Sequence, residues 1–280
     1  MNKLLLILFI SFSNFIYAQD CEYLGIDKEF ENGDIAYLFG DNVRLRKAPS
    51  FEAEALAILK IGNCLEVLEK SNVKTTFKGI ESPWYKVKYK NEVGYILGGL
   101  ISLTRVKNNN LSCFIGLEKM DNKLYILTRV LSDAKTTYFE NRSAFLGDNN
   151  GFCLKLFDNK GLQEISNIIY INYIPESGGA NSGGYYLFFD TKKLHKVIEL
   201  TSGNDIGIWE SEQLYFPNDS LGVKGKIIYI IEEGEFSDSE TEESEPDWEK
   251  SSKIKLKLKW VDNKLTPNPK TFENNQDGNW

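Results

Sequence analysis

The sequence predicts an all-β protein of two domains, and three observations carry that expectation. Short runs rich in β-branched and aromatic residues recur along the chain, Asn, Asp and Gly punctuate them, and no convincing amphipathic helix intervenes. With 42% hydrophobic, 13% aromatic and 26% charged residues over 280 positions, the chain can bury an ordinary core and has room for two domains.

The first eighteen residues carry Lys3, an apolar run from Leu4 to Ile10 and a small-residue stretch ending at Ala18, the pattern of a signal peptide cleaved after Ala18. The apolar centre is short for a bilayer span and Ser11, Ser13 and Asn14 interrupt it. Cys21 follows Gln19 and Asp20 rather than small residues at the cut, so a soluble exported protein without a lipid anchor is expected, periplasmic or secreted. Losing Lys3 moves the formal charge from −7 to −8, which argues against nucleic acid or anionic polymers as partners. Residues 19–40 form a lead-in.

From 41 to 103 short β patterns alternate with turns. Val43-Arg44-Leu45-Arg46-Lys47-Ala48-Pro49-Ser50, then Ala57-Ile58-Leu59-Lys60-Ile61-Gly62 with Leu65-Glu66-Val67-Leu68, then Trp84-Tyr85-Lys86-Val87-Lys88-Tyr89 with Glu92-Val93-Gly94-Tyr95-Ile96 follow one another. In this order they resemble the opening motif, the middle stretch and the closing hairpin of the bacterial SH3 domain family. Arg44 and Ala48 depart from the Asn and Gly usual there, which bears on the path of the first loop. The resemblance implies a small SH3-like barrel of five to seven strands that recognises peptide or cell-wall material. Arg46, Trp84, Tyr85 and Tyr95 are its candidate ligand residues, since amphipathic rings offer apolar area with a polar tip. Strand parity argues that part of this aromatic set packs the barrel instead, and Arg46 has the alternative role of tying down a turn. The polar stretch 71–83 reads as a hairpin extension.

Residues 104–112 contain Asn108-Asn109-Asn110 and read as a linker, and residues 113–266 as a larger antiparallel β-sandwich or sheet. Strand candidates fall at 124–131, 152–157, 168–174, 185–189, 194–200, 227–231 and 254–261. Asp121-Asn122-Lys123, Asp158-Asn159-Lys160-Gly161 and Asp262-Asn263-Lys264 read as hairpin turns, because Asn and Asp tolerate left-handed backbone; none has calcium-loop spacing. The glycine-rich stretch 177–184 reads as a flexible hairpin loop, since no Lys-Ser/Thr follows it. Between 232 and 249 ten acidic residues occur without a base, which predicts a flexible acidic loop. Lys253, Lys255, Lys257 and Lys259 alternate with apolar residues, as an edge strand guarded by lysine or, alternatively, as an anion-binding face. Residues 267–280 read as a disordered tail.

Four cysteines in the mature chain permit disulfides in an oxidising compartment, and Cys113 with Cys153 is the expected pair, both lying in candidate strands. In the second domain Asp205, Trp209 and Glu210 gather carboxylates around an aromatic as a candidate ligand surface. No catalytic residue, metal ligand or cofactor is assigned. The functional expectation is an envelope binding or adaptor protein, not an enzyme, whose partner is peptidoglycan or an envelope protein or peptide. The alternatives are a papain-like cell-wall hydrolase, in which the sole histidine His195 would serve a cysteine, and a hydrolase inhibitor or immunity-type protein.

Overall fold

The computed structural model describes residues 21, 23–133, 137–147, 151–175, 182–205, 208–236 and 248–273. The expected signal peptide, most of the glycine-rich loop and the end of the tail lie outside them. The chain is all-β, and its described strands form four antiparallel sheets.

The first sheet curls on itself. It comprises β1 (Ile35–Tyr37), β2 (Val43–Arg46), β3 (Ala55–Leu59), β4 (Cys64–Phe77), β5 (Ile80–Tyr89) and β6 (Glu92–Leu97) in the order β1-β4-β5-β6-β2-β3. Period-two alternation sends Val43, Leu45, Leu65, Val67, Tyr85, Val87 and Ile96 inward and leaves Arg44, Glu66 and Lys88 outside. The core also takes in Phe30, Ala36 and Leu38, so the lead-in that the sequence sets apart from the barrel is a structural part of it.

The second sheet contains β7 (Arg105–Asn108), β8 (Leu111–Met120), β9 (Lys123–Ser132) and β10 (Phe139–Ala144), ordered β10-β9-β8-β7. Residues 104–112, expected to be a linker, are therefore β7, its turn and the start of β8. Asn109 supplies the left-handed backbone of that turn, at φ 49°. The third sheet is β11 (Phe152–Phe157), β12 (Asn167–Tyr173), β13 (Gly184–Phe189) and β14 (Leu194–Leu200), in chain order. The fourth is β15 (Ser202–Asp205), β16 (Ile208–Tyr215), β17 (Ile227–Phe236), β18 (Trp248–Val261) and β19 (Lys264–Thr266), also in chain order, with a helical turn α1 (Lys270–Glu273) after it.

These sheets stack. Cys113, Ile115, Ile126 and Val130 of the second sheet pack on Leu154, Ile171, Tyr185 and Leu187 of the third. The opposite face of the third sheet, through Ile168, Tyr186, Phe188 and Ile198, packs on Leu214, Tyr229, Ile231 and Leu258 of the fourth. Because both faces of β13 are covered, all six of its residues are buried, and the continuous apolar run Gly-Tyr-Tyr-Leu-Phe-Phe follows without alternation.

The barrel covers the remaining face of the second sheet through Phe39, Ile61, Phe114 and Leu127. That contact is close enough to require glycine at 116, where an added Cβ would lie 2.6 Å from the Phe39 ring. A second fastening is the tip of the β4–β5 hairpin. Lys119 donates its backbone N–H to Lys78 O at 2.8 Å, and Lys78 pairs with Glu118.

Three further expectations need correction. The acidic segment 232–249 is entered by both flanking strands, β17 running to Phe236 and β18 beginning at Trp248, while 237–247 lie outside the described residues. The expected disordered tail contains α1, held by Lys270 on the buried Glu212. Finally, the disulfide joins Cys21 to Cys153, leaving Cys113 and Cys64 as thiols. Parity explains the change: Phe152 and Leu154 face the cluster that holds Cys113, so Cys153 between them points away from it. The bridge between Leu24 and Phe152 instead brings Cys21 to Cys153, with Cα atoms 5.5 Å apart.

Candidate ligand surface

Strand pairing sorts the four barrel residues singled out from sequence. Tyr95 lies directly opposite Lys86 on β5 and Arg46 on β2, and directly paired residues share a face. Trp84 stands two residues from Lys86 and therefore belongs to that outer face too. Tyr85 belongs to the other face. It is 1% exposed, packs edge-on to Phe30 at 5.4 Å, and its phenol accepts the Phe30 N–H at 3.2 Å. Burial raises its pKa above the ordinary phenol range. Tyr85 is a core residue, not a ligand contact.

Trp84 is also 1% exposed although it faces outward, because neighbouring elements cover it. Its indole N–H donates to Thr75 Oγ1 at 2.8 Å, and Phe51 from the β2–β3 loop sits edge-on to it at 5.2 Å. Phe51 itself is 41% exposed. Arg46 donates to Ala53 O at 2.7 Å, pinning the same loop, and its guanidinium carbon lies 5.9 Å from the Phe51 ring centre. The result is a surface made of the exposed Phe51 with the half-buried Tyr95 and Arg46 beside it, supported from below by Trp84. Sequence reasoning missed Phe51, whose signal is an aromatic ring placed in a polar turn between two strands.

The second-domain candidates do not converge. Trp209 and Glu210 are consecutive on β16 and so point to opposite faces, and Glu210 is exposed opposite Glu233. Asp205 ends β15 opposite Ile208, and its side chain lies outside the described residues. The register puts the Asp205 and Glu210 positions on one face and Trp209 on the other, so the three do not line a single cleft.

His195 pairs with Phe188, faces Trp260 at 5.8 Å and shares a 2.9 Å hydrogen bond between Nε2 and Asp190 Oδ2. It thus lies on the face of the third sheet that packs against the fourth. Cys113 belongs to the cluster on the opposite face, and full burial pushes its thiol far above the ordinary cysteine range. Cys153, the other cysteine considered as a nucleophile, is in the disulfide. Among the described residues no group of three or more His, Cys, Asp or Glu is placed to hold a metal ion, and no helix is long and apolar enough to cross a membrane.

A curled six-stranded antiparallel sheet with a pinned aromatic loop is the architecture of a small β-barrel binding module. Residues 41–102, which hold β2 to β6 of the barrel, match the bacterial SH3 domain family. No curated protein and no solved structure matches the chain.

Proposed function

We propose that this is an exported cell-envelope binding or adaptor protein, not an enzyme, whose barrel holds a peptide or cell-wall strand against Phe51, Tyr95 and Arg46. The observation that carries the reading is the exposed Phe51, set by Trp84 and Arg46 on the open face of a bacterial SH3 barrel. An exposed aromatic fixed in place contributes contact area at small entropic cost on binding, and the guanidinium beside it suits a carboxylate or carbonyl on the ligand. A disulfide within the chain agrees with an oxidising compartment.

The hydrolase alternative gains no support from the cysteines, since attack needs a thiolate within reach of its base. Cys113, on β8, packs against one face of the third sheet, and His195, on β14, lies on the other. Co-sedimentation of the full chain with purified cell-wall sacculi tests the proposal. Retention by the wild type that falls in Phe51→Ala and Tyr95→Ala, with unfolding unchanged, is the expected result. Retention indifferent to both substitutions would reject the surface, and release of soluble muropeptides abolished by His195→Ala would replace the binder with the hydrolase.

A further inference from the structure

The outward face of the fourth sheet carries a charge arrangement that the barrel does not account for. On β18, Lys253, Lys255, Lys257 and Lys259 are exposed in alternate positions. Their partners across β17 are Glu232, Ile230 and Ile228 for the first three, and the same register puts Lys226 opposite Lys259. Only the first pair is neutralised, by the ion pair of Lys253 with Glu232. Among the described residues Lys255, Lys257, Lys259 and Lys226 have no carboxylate partner. Partial desolvation, followed by the charges of Lys259 and Lys257, pulls the Lys226 ammonium below the usual lysine range, which shows how closely these cations are held.

Protection of an edge explains only part of the arrangement. β18 is paired with β17 along its length but with β19 only at Lys259–Val261, so Lys253, Lys255 and Lys257 line an open edge, whereas Lys259 lies where β18 is paired on both sides and stands opposite Lys226. Like charges directly opposite one another weaken a sheet, and among the described residues no ion pair offsets the repulsion of Lys226 and Lys259. Ile228 and Ile230 are 0% and 4% exposed although they share this outward face, so flanking side chains cover them. Along β18 the charges recur every second residue, a repeat of about 6.8 Å.

We propose that this face binds a linear phosphodiester polyanion, its phosphates seated in turn on Lys255, Lys257, Lys259 and Lys226. The surface consists of point charges, with no arginine fork among these four cations, and Tyr215, the ring on neighbouring β16, is only half-buried with its hydroxyl engaged by Gln213. Nucleic-acid strands are gripped through stacking platforms or base-edge forks, so the occupant is a polymer read through its phosphates alone, such as a polyol phosphate. Four phosphate contacts predict a slope of log affinity against log salt of about −3, hence a loss of about 50-fold between 50 and 200 mM salt.

The test is fluorescence anisotropy of the full chain with a labelled poly(glycerol phosphate) of about twenty units, beside an oligothymidylate of equal charge, the length being chosen to exceed the roughly 20 Å row. The wild type should bind the polyol phosphate at least as tightly as the oligothymidylate, with the steep slope. The triple substitution Lys255→Gln, Lys257→Gln, Lys259→Gln should weaken binding at least tenfold and reduce the slope to about −1. The control Lys119→Gln, Lys123→Gln, Lys192→Gln, equal in charge lost, should leave both unchanged. Circular dichroism melts of both variants check folding. Absent binding at 50 mM salt, equal losses in the two triple variants, or clear preference for the oligothymidylate would each overturn the proposal.

Discussion

Replacing Cys21 with Ser is expected to remove more stability than any single contact in the chain. The bridge from Cys21 to Cys153 closes a separation of 132 residues, which spans the whole barrel and the second sheet. In the loop-entropy account a closure of that length constrains the unfolded chain by about 5 kcal/mol, an upper figure because residual structure in the unfolded state reduces it. The folded state should survive the change. Leu24 is 1% exposed in the core between the second and third sheets, and it exchanges backbone hydrogen bonds of 2.8 and 3.1 Å with Phe152. Cys21→Ser also leaves Cys153 as a buried thiol of unchanged volume, which avoids a cavity. Urea unfolding followed by tryptophan fluorescence, for the wild type with and without reductant and for Cys21→Ser, measures the effect. A loss of about 3–5 kcal/mol, the same for reduction and for substitution, is expected. A loss under about 1 kcal/mol, or a reductant effect that persists in Cys21→Ser, would refute the argument.

Gly79→Ala should detach the β4–β5 hairpin from β8, because the added Cβ falls 2.0 Å from Lys119 O at a φ of +73°; amide exchange at Lys119 should accelerate while the barrel core stays protected. Glu212→Gln should cost about 2–4 kcal/mol in urea unfolding and free α1 to exchange, since the carboxylate is 5% exposed and accepts bonds from Tyr229 OH, Thr201 N–H and Lys270. For Asp190, burial raises the carboxyl pKa, but hydrogen bonds from His195 and from the N–H groups of Lys192 and Lys193 outweigh it and leave the pKa below the ordinary aspartate value. A depressed folded pKa stabilises above the unfolded value, near pH 4, and that contribution fades as pH falls through the folded value, so Asp190→Asn should flatten the acid limb of stability against pH.

The parts of the fold that were legible from sequence are those where one face meets solvent or where turns carry distinctive residues. Two of the three Asp-Asn-Lys stretches read as hairpin turns do join β8 to β9 and β18 to β19, with Asp121, Asn122, Asp262 and Asn263 all at positive φ, whereas Asp158-Asn159-Lys160-Gly161 opens a longer loop from Phe157 to Asn167. The sequence marks β8 only as a strand around Cys113, without bounds, because its first six residues are buried on both faces and Leu-Ser-Cys-Phe-Ile-Gly has no alternation to read. β16 was hidden by Glu212, a buried carboxylate whose partners Tyr229, Thr201 and Lys270 come from other segments of the chain. The disulfide was misread for a related reason, since the partner of Cys153 depends on where a bridge from the lead-in meets β11. At the barrel surface, parity already divided Trp84 from Tyr85. What parity cannot show is that a loop residue, Phe51, would cover Trp84 and take its place at the surface.

The order of the layers bears on how the two proposed surfaces can act together. The barrel rests on the second sheet, the second on the third and the third on the fourth, so the aromatic loop of β2–β3 and the lysine face of β18 belong to the two terminal layers. With packed sheets about 10 Å apart, three interfaces separate those layers by about 30 Å, beyond the Debye length of about 8 Å at physiological salt. Neither surface therefore feels the other's charge, and occupation of one leaves the other open. The layers between them are tightly packed, which makes the stack a stiff spacer rather than a hinge. A chain built this way can hold a peptide or wall strand at one end and a polyanion at the other, and its affinity for a material presenting both would exceed either alone through effective concentration.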